Sequence, residues 1–336
     1  VPAIAAGEKG KEKKPQDKGE VFDASTFILD HVADSHEWHL WTKKDGSAVA
    51  VYLPVIIYDR GTGLHIFSSK KIAHGQAYEN FAVAHEGKYE GKIVRLDPGG
   101  HPDETNIPLD FSITKAVFGM MVAAIILLWL MIATARSYRK SGVTAPRGLQ
   151  GFLEPVILFV RDDIAVPNIG EKKYARFMPY LLTVFFFILI NNLLGLIPIF
   201  PFGANVTGNI NVTFVLALFT FLITQFSGNK SHWRHVFAAP GVPIWLLPIM
   251  IPIELIGLIS KPFALMVRLF ANITAGHIIL LSLISLIFIF KSVLVAPASV
   301  LFVLFMDCIE LLVAFLQAYV FTLLSALFIG MATAEA

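Results

Sequence analysis

The 336-residue chain has one cysteine, Cys308. That excludes a disulfide framework and a cysteine-ligated metal centre; lying inside an apolar run, Cys308 reads as a small packing residue. Charge is nearly missing from the C-terminal half. From Phe177 to Ala336 only nine of 160 residues are Asp, Glu, Lys or Arg: Lys230, Arg234, Glu254, Lys261, Arg268, Lys291, Asp307, Glu310 and Glu335. With 55% apolar residues and a mean hydropathy of +0.66 for the whole chain, this half cannot be an ordinary soluble domain and reads as membrane-embedded. The first 110 residues lack the opposite thing, an apolar run long enough to span a bilayer, and they hold most of the histidines. A net charge of +2 gives no reason to expect nucleic acid as a partner. No internal repeat is visible, which counts against a self-contained secondary ion transporter or channel built from repeated broken helices, the main alternative for such a chain.

Residues 1–20 carry the charged stretch Glu8-Lys-Gly-Lys-Glu-Lys-Lys-Pro15 and no large apolar residue after Ile4. They read as a disordered leader. The opening Val-Pro-Ala-Ile-Ala-Ala-Gly leads us to expect a removed export signal, which puts residues 21–106 in the periplasm. Residues 21–42 suit a short amphipathic helix with Phe22, Phe27, Ile28, Leu29 and Val32 on its apolar side. Short β-like runs follow at Ala48–Tyr58, Leu64–Phe67 and Lys92–Leu96, separated by turn residues such as Asp59-Arg-Gly-Thr-Gly63. His31, His36 and His39, with Asp34 and Glu37 among them, are candidate imidazole and carboxylate ligands for zinc or copper. Their spacing matches no metal motif, and a solvated polar face is the plainer reading.

Ala116 to Ala133 is an 18-residue apolar run followed at once by Arg136, Arg139 and Lys140. It predicts a span near 113–135 whose C-terminal end is cytoplasmic by the positive-inside rule. Residues 150–166 are too short and too charged to span and suit an interfacial helix. Further spans are expected near 177–198 and 210–227. The first contains Asn191 and Asn192, which need hydrogen-bond partners in hydrocarbon. Two apolar runs of about 47 (244–290) and about 35 (298–333) residues remain. As helices they would be roughly 70 Å and 50 Å long against a hydrocarbon core of about 30 Å. No polar turn divides either, so the expected architecture for 107–336 is an all-α polytopic membrane domain. It ends in a hairpin of two long helices, tilted or nearly horizontal, with its C-terminus cytoplasmic. Residues 21–106 add a small extramembrane region with β-strands.

The first long run contains a single arginine, Arg268. An arginine in hydrocarbon costs at least about 2.5 kcal/mol and stays charged, so it marks a functional site. Asn272 follows it at i+4 among the small residues Ala264, Ala271 and Ala275, whereas His277, nine residues on, points to the opposite face. The second run supplies Asp307, Glu310 and Gln317, the last two on one face. Glu254 and Lys261 lie nearer the start of the first run; Lys261 and Asp307 also fit a snorkelling role. Along an ideal helix Arg268 lies about 21 Å beyond Glu254, and His277 about 13 Å beyond Arg268. Titratable groups at two depths with a permanent cation between them suggest two proton half-paths and an electrostatic barrier.

The stretch Ser260-Lys-Pro-Phe-Ala-Leu-Met-Val-Arg268-Leu-Phe-Ala-Asn-Ile-Thr-Ala-Gly-His277 resembles the signature of subunit a of F-type ATP synthases. Glu310-x6-Gln317-Ala-Tyr-Val-Phe321, Asn191-Asn-Leu-Leu-Gly-Leu-Ile-Pro198 and the helix order are similar too, over about residue 107 to the C-terminus. The resemblance implies a stator that catalyses no ATP chemistry itself and needs no cofactor. Its implied partners are a rotating c-subunit ring, the subunit b peripheral stalk, the rest of the synthase and the bilayer of a bacterial inner membrane. It further implies that Arg268 faces the ring carboxylates, that Asn272, His277, Glu310 and Gln317 line an outer half-channel, and that Glu254 lines an inner one. In some bacterial members Gly276-His277 reads Gly-Glu, with histidine where Glu310 stands. Here acid and imidazole are exchanged, which supports contact between the two positions.

Overall fold

The computed structural model describes residue 28 and residues 32–42, 48–84, 89, 91–97, 99, 101–103, 107–141, 148–197, 202–237, 244–290 and 295–334. The leader expected over 1–20 lies outside the described residues, as does His31.

Strands β1 (Glu37–Thr42) and β2 (Ala48–Tyr52) pair antiparallel, as do β3 (Pro54–Asp59) and β4 (Gly63–Ser68). β5 (Phe81–Val83) pairs with β6 (Ile93–Arg95), and β7 (Leu109–Asp110) adds to β3 to give the order β4-β3-β7. The helix expected through residue 42 is therefore corrected, because Glu37–Thr42 is a strand. The buried Trp38 alternates with polar Glu37 and His39, a period of two, and β2 satisfies the backbone groups of this segment. Alternation also sends Val55, Ile57 and Phe67 inward, where they meet Ile72, Phe81 and Ile93. At the β3–β4 turn the Asp59 carboxylate accepts from the Thr62 N–H (3.0 Å), the Thr62 hydroxyl (2.6 Å) and Arg95 Nη1 (2.8 Å).

This strand region is fastened to the first long helix, α1 (Lys115–Ser141). Asp34 Oδ1 accepts from the Ala116 N–H at 3.0 Å, serving one of the amides that a helix start leaves without an intrahelical partner. Trp38 meets Phe118 edge-on and packs with Ala204 and Val206.

Beyond α1 come α2 (Leu149–Phe159), which passes through a π turn at Val160–Ala165 into the short α3 (Val166–Ile169), then α4 (Tyr174–Gly195) and α5 (Ile210–Ser227). The amphipathic α6 (Lys230–Phe237) precedes two very long helices, α7 (Leu247–Phe290) and α8 (Val295–Thr333). Five helices, α1, α4, α5, α7 and α8, are long and apolar enough to cross a membrane. α4 is central, with Leu181, Phe185 and Ile188 fully buried among Val160, Ile164, Leu265, Leu269 and Ile329. The π turn is thus packed inside, and Phe159 just before it meets the rings of Phe185, Phe315 and Tyr319.

α7 and α8 form an antiparallel hairpin. Ser299 donates to the Leu283 carbonyl, Glu310 lies on Gly276, and Lys261 Nζ stands 5.8 Å from the Phe328 ring centre. As the position rises along α8 the partner falls along α7. At 44 and 39 residues the two helices are about 66 Å and 58 Å long, far more than a bilayer's hydrocarbon thickness, which requires strong tilt in a membrane.

Candidate functional site

Ala264, Arg268, Ala271, Asn272 and Ala275 lie along one exposed face of α7, flanked by exposed Phe263, Val267 and Ile279. The 3.6-residue period places the guanidinium, the Asn272 amide and the small side chains together, so Arg268 stands in an open, largely apolar surface. On α8, Leu304, Phe305, Leu311 and Leu312 are likewise more than half exposed. Exposed apolar side chains around a cation make a surface suited to lipid or to another membrane helix.

Behind it lies a cavity of about 540 Å³ lined by Asn192, Arg268, Asn272, Gly276, His277, Glu310 and Gln317, among others. Three helices supply these side chains: α4, α7 and α8. Glu310 and Gln317 are buried. A β-carbon at Gly276 would stand 2.7 Å from Glu310 Oε1, so the missing side chain is what lets the carboxylate enter. Glu310 Oε1 is buried without a hydrogen-bond partner among the described residues. Such a carboxylate is costly unless it exchanges a proton or meets a charged partner. His277 is half-buried, its Nε2 3.9 Å from where a Gly195 β-carbon would be. The wall is held by Asn192, whose Nδ2 donates to the Ala314 carbonyl (3.2 Å) while its Oδ1 accepts from the Thr207 hydroxyl (2.6 Å). Asn191 instead donates to the Phe187 carbonyl of its own helix, and its buried Oδ1 has no hydrogen-bond partner among the described residues.

A second cavity, of about 300 Å³, lies toward the other end of the hairpin and is lined by Glu254, Lys261, Gln225, His232 and His235, among others. His235 Nδ1 is 3.6 Å from Glu254 Oε1, and His232 Nε2 is 3.3 Å from Gln225 Oε1. Burial pushes the His232 imidazole below its ordinary value; the charges of Lys261 and His235 add to this, and Glu254 opposes it. Between the cavities the packing is closed by Leu265, Met266, Leu269, Phe321, Thr322, Ser325 and Ala326, all buried.

The two cavities thus gather Arg268, Asn272, His277, Glu310, Gln317 and Asn192 in one place and Glu254 with Lys261 in the other. Asp307 is exposed and lines neither. His36 pairs with Asp110 at 3.5 Å, and His39 sits on β1 with its side chain outside the description. Sequence reasoning overlooked Thr207, Gly276, His232 and His235. A glycine next to a histidine signals nothing until the carboxylate on the other helix is seen to need its space. The two histidines of α6 lie in a short polar stretch between apolar runs, where their i, i+3 spacing, which places them on one helix face, was the signal that could have found them.

A hairpin of long apolar helices carrying ionisable groups around two separated cavities defines an integral membrane protein that handles ions. Residues 117–330 match the ATP synthase A chain family, and the chain belongs to it. Among its relatives, "ATP synthase subunit a" of Chloroherpeton thalassium is 48% identical over 268 residues, covering 78% of this chain and 74% of the relative. "ATP synthase subunit a 2" of Chlorobaculum tepidum is 54% identical over 233 residues (67% and 64%). "ATP synthase subunit a" of Chlorobium phaeobacteroides strain BS1 is 46% identical over 327 residues (86% and 95%). Residues 27–111 match a separate family described as a domain of unknown function (DUF8433).

Proposed function

We propose that this chain is the stator subunit a of a bacterial F-type ATP synthase and supplies two offset proton half-channels to a rotating c-subunit ring. The observation that carries the reading is the placement of Arg268 on an open apolar face, beside one cavity and cut off from the other by the buried layer around Leu265 and Leu269. The larger cavity is the outer half-channel, in which His277 and Glu310 exchange protons while Asn272, Gln317 and Asn192 supply polar lining. Glu254 serves the inner one. The strand region then faces the periplasm, the C-terminus the cytoplasm, and subunit b and the remaining synthase hold the chain against rotation.

The physics of the cycle follows from Arg268. At about 4 Å and an effective dielectric of about 20, a cation and a carboxylate attract by roughly 4 kcal/mol. A ring carboxylate arriving at Arg268 is therefore driven to ionise and gives up its proton to the inner cavity. Moved past the arginine, it is reprotonated from the outer one. Arg268 releases no proton at working pH, and the layer of Leu265, Met266, Leu269, Phe321, Thr322, Ser325 and Ala326 contains no Asp, Glu, His, Lys or Arg, so protons cross by riding the ring.

ATP-driven acidification of inverted membrane vesicles tests this. The wild type should acidify the vesicle interior, be abolished by a protonophore and be indifferent to sodium; Arg268→Ala at equal assembly should not acidify at all. Normal pumping by the variant would overturn the reading, and sodium-dependent pumping would overturn the choice of ion.

A further inference from the structure

We infer that His235, on the short helix α6, is a proton-relay residue of the inner half-channel that passes protons between bulk water and Glu254. The inference rests on the stator reading above. Its side chain is 62% exposed, yet Nδ1 stands 3.6 Å from Glu254 Oε1, a gap that a small rotation closes to a hydrogen bond. One edge of the ring thus faces the cavity and the other faces solvent. The charged and titratable groups around it are Lys230, His232 and Arg234 on its own helix and Glu254 and Lys261 on α7. α5 contributes the neutral Gln225 to the cavity, and α8 contributes Phe328 and Met331.

The chemistry explains why an imidazole belongs there. At pH 7 an ordinary histidine is protonated about a quarter of the time, an ordinary glutamate about 0.2% of the time. When ATP hydrolysis drives protons outward, an imidazole beside the carboxylate adds a group of the kind that takes up and gives away protons near neutral pH. In uptake the His235 imidazolium gives its Nδ1 proton to the Glu254 carboxylate, leaving a neutral imidazole and a carboxyl group. The neutral ring, which keeps its Nε2 proton, then turns its free Nδ1 to water and takes a proton there, which restores the imidazolium. During synthesis the same transfers run in reverse. Only protons move, and no bond between heavier atoms changes.

The test uses the assembled synthase in inverted vesicles, which present the proposed inner mouth to the medium. Wild type, His235→Gln and Arg268→Ala are compared for ATP-driven pumping from about pH 5.5 to about pH 8, with and without added imidazole. His235→Gln should pump about threefold or more slowly than wild type near pH 8, approach it near pH 5.5, and recover with imidazole in the medium. Equal pumping at every pH overturns the inference, and so does a uniform deficit that imidazole leaves unchanged, since that is a structural defect. Failure of the stator reading is seen separately, as normal pumping by Arg268→Ala.

Discussion

Glu310 of α8 rests on Gly276 of α7, so close that a β-carbon at position 276 would stand 2.7 Å from its Oε1. The carboxylate is delivered to the larger cavity by an absent side chain, next to His277 in sequence and across the hairpin in space. Gly276→Ala should therefore push Glu310 out of place and slow ATP-driven pumping by about tenfold or more, because small misplacements near proton transfer are costly. Combining it with Glu310→Asp, which shortens the acid, should restore part of the loss. A double variant no better than Gly276→Ala alone, in vesicles with equal synthase content, would show that crowding is not the cause.

Exchanging His277 and Glu310 with each other should keep more coupled pumping than either His277→Ala or Glu310→Ala. The relay needs an acid and an imidazole lining one cavity, and the exchange keeps both. The proton-to-ATP ratio in vesicles decides: an exchange variant as poor as the single alanines removes the paired role.

Thr207→Val should destabilise the cavity wall. It leaves the Asn192 Oδ1 buried without its 2.6 Å donor, and such a loss costs about 1–3 kcal/mol. The melting temperature of the purified protein should fall, whereas Thr207→Ser, which keeps the hydroxyl, should stay close to wild type. Equal melting of Thr207→Val and wild type would mean that the bond contributes nothing net.

In the strand region burial raises the Asp59 carboxyl, but the Thr62 hydroxyl and the Arg95 guanidinium outweigh it and hold it below the ordinary carboxylate value. A depressed folded value means that its stabilisation is complete above the unfolded value, near 3.8, and is lost as pH falls through the folded one. The protection of β3 and β4 amides from exchange, corrected for the intrinsic pH dependence of the exchange chemistry, should therefore fall on acidification below about pH 4. Asp59→Asn should exchange faster than wild type at neutral pH and show a weaker acid dependence; an unchanged acid dependence would remove Asp59 as its source.

The long helices were legible because hydrocarbon leaves a chain few choices: uninterrupted apolar runs satisfy their backbone only as helices, and length sets how they fit the bilayer. Arg268 stood out for the same reason, as a charge where charge is expensive. Two short stretches misled. The segment up to residue 42 carried enough scattered apolar residues to suggest a helix, yet β2 was available to pair with Glu37–Thr42, and strand pairing is a non-local choice. The spacing of the α6 histidines named no partner until Glu254, nineteen positions past His235, was seen beside it. By itself the sequence determined which segments are apolar helices, which region lies outside the hydrocarbon and which residues carry charge there, since these depend on composition along a single run. Tertiary packing alone decided which charges share a cavity, that Gly276 admits Glu310, that Thr207 holds Asn192, and that a buried layer around Leu265 and Leu269 divides the cavities. Each of these is a contact between residues far apart in the chain, created only when the helices close on one another.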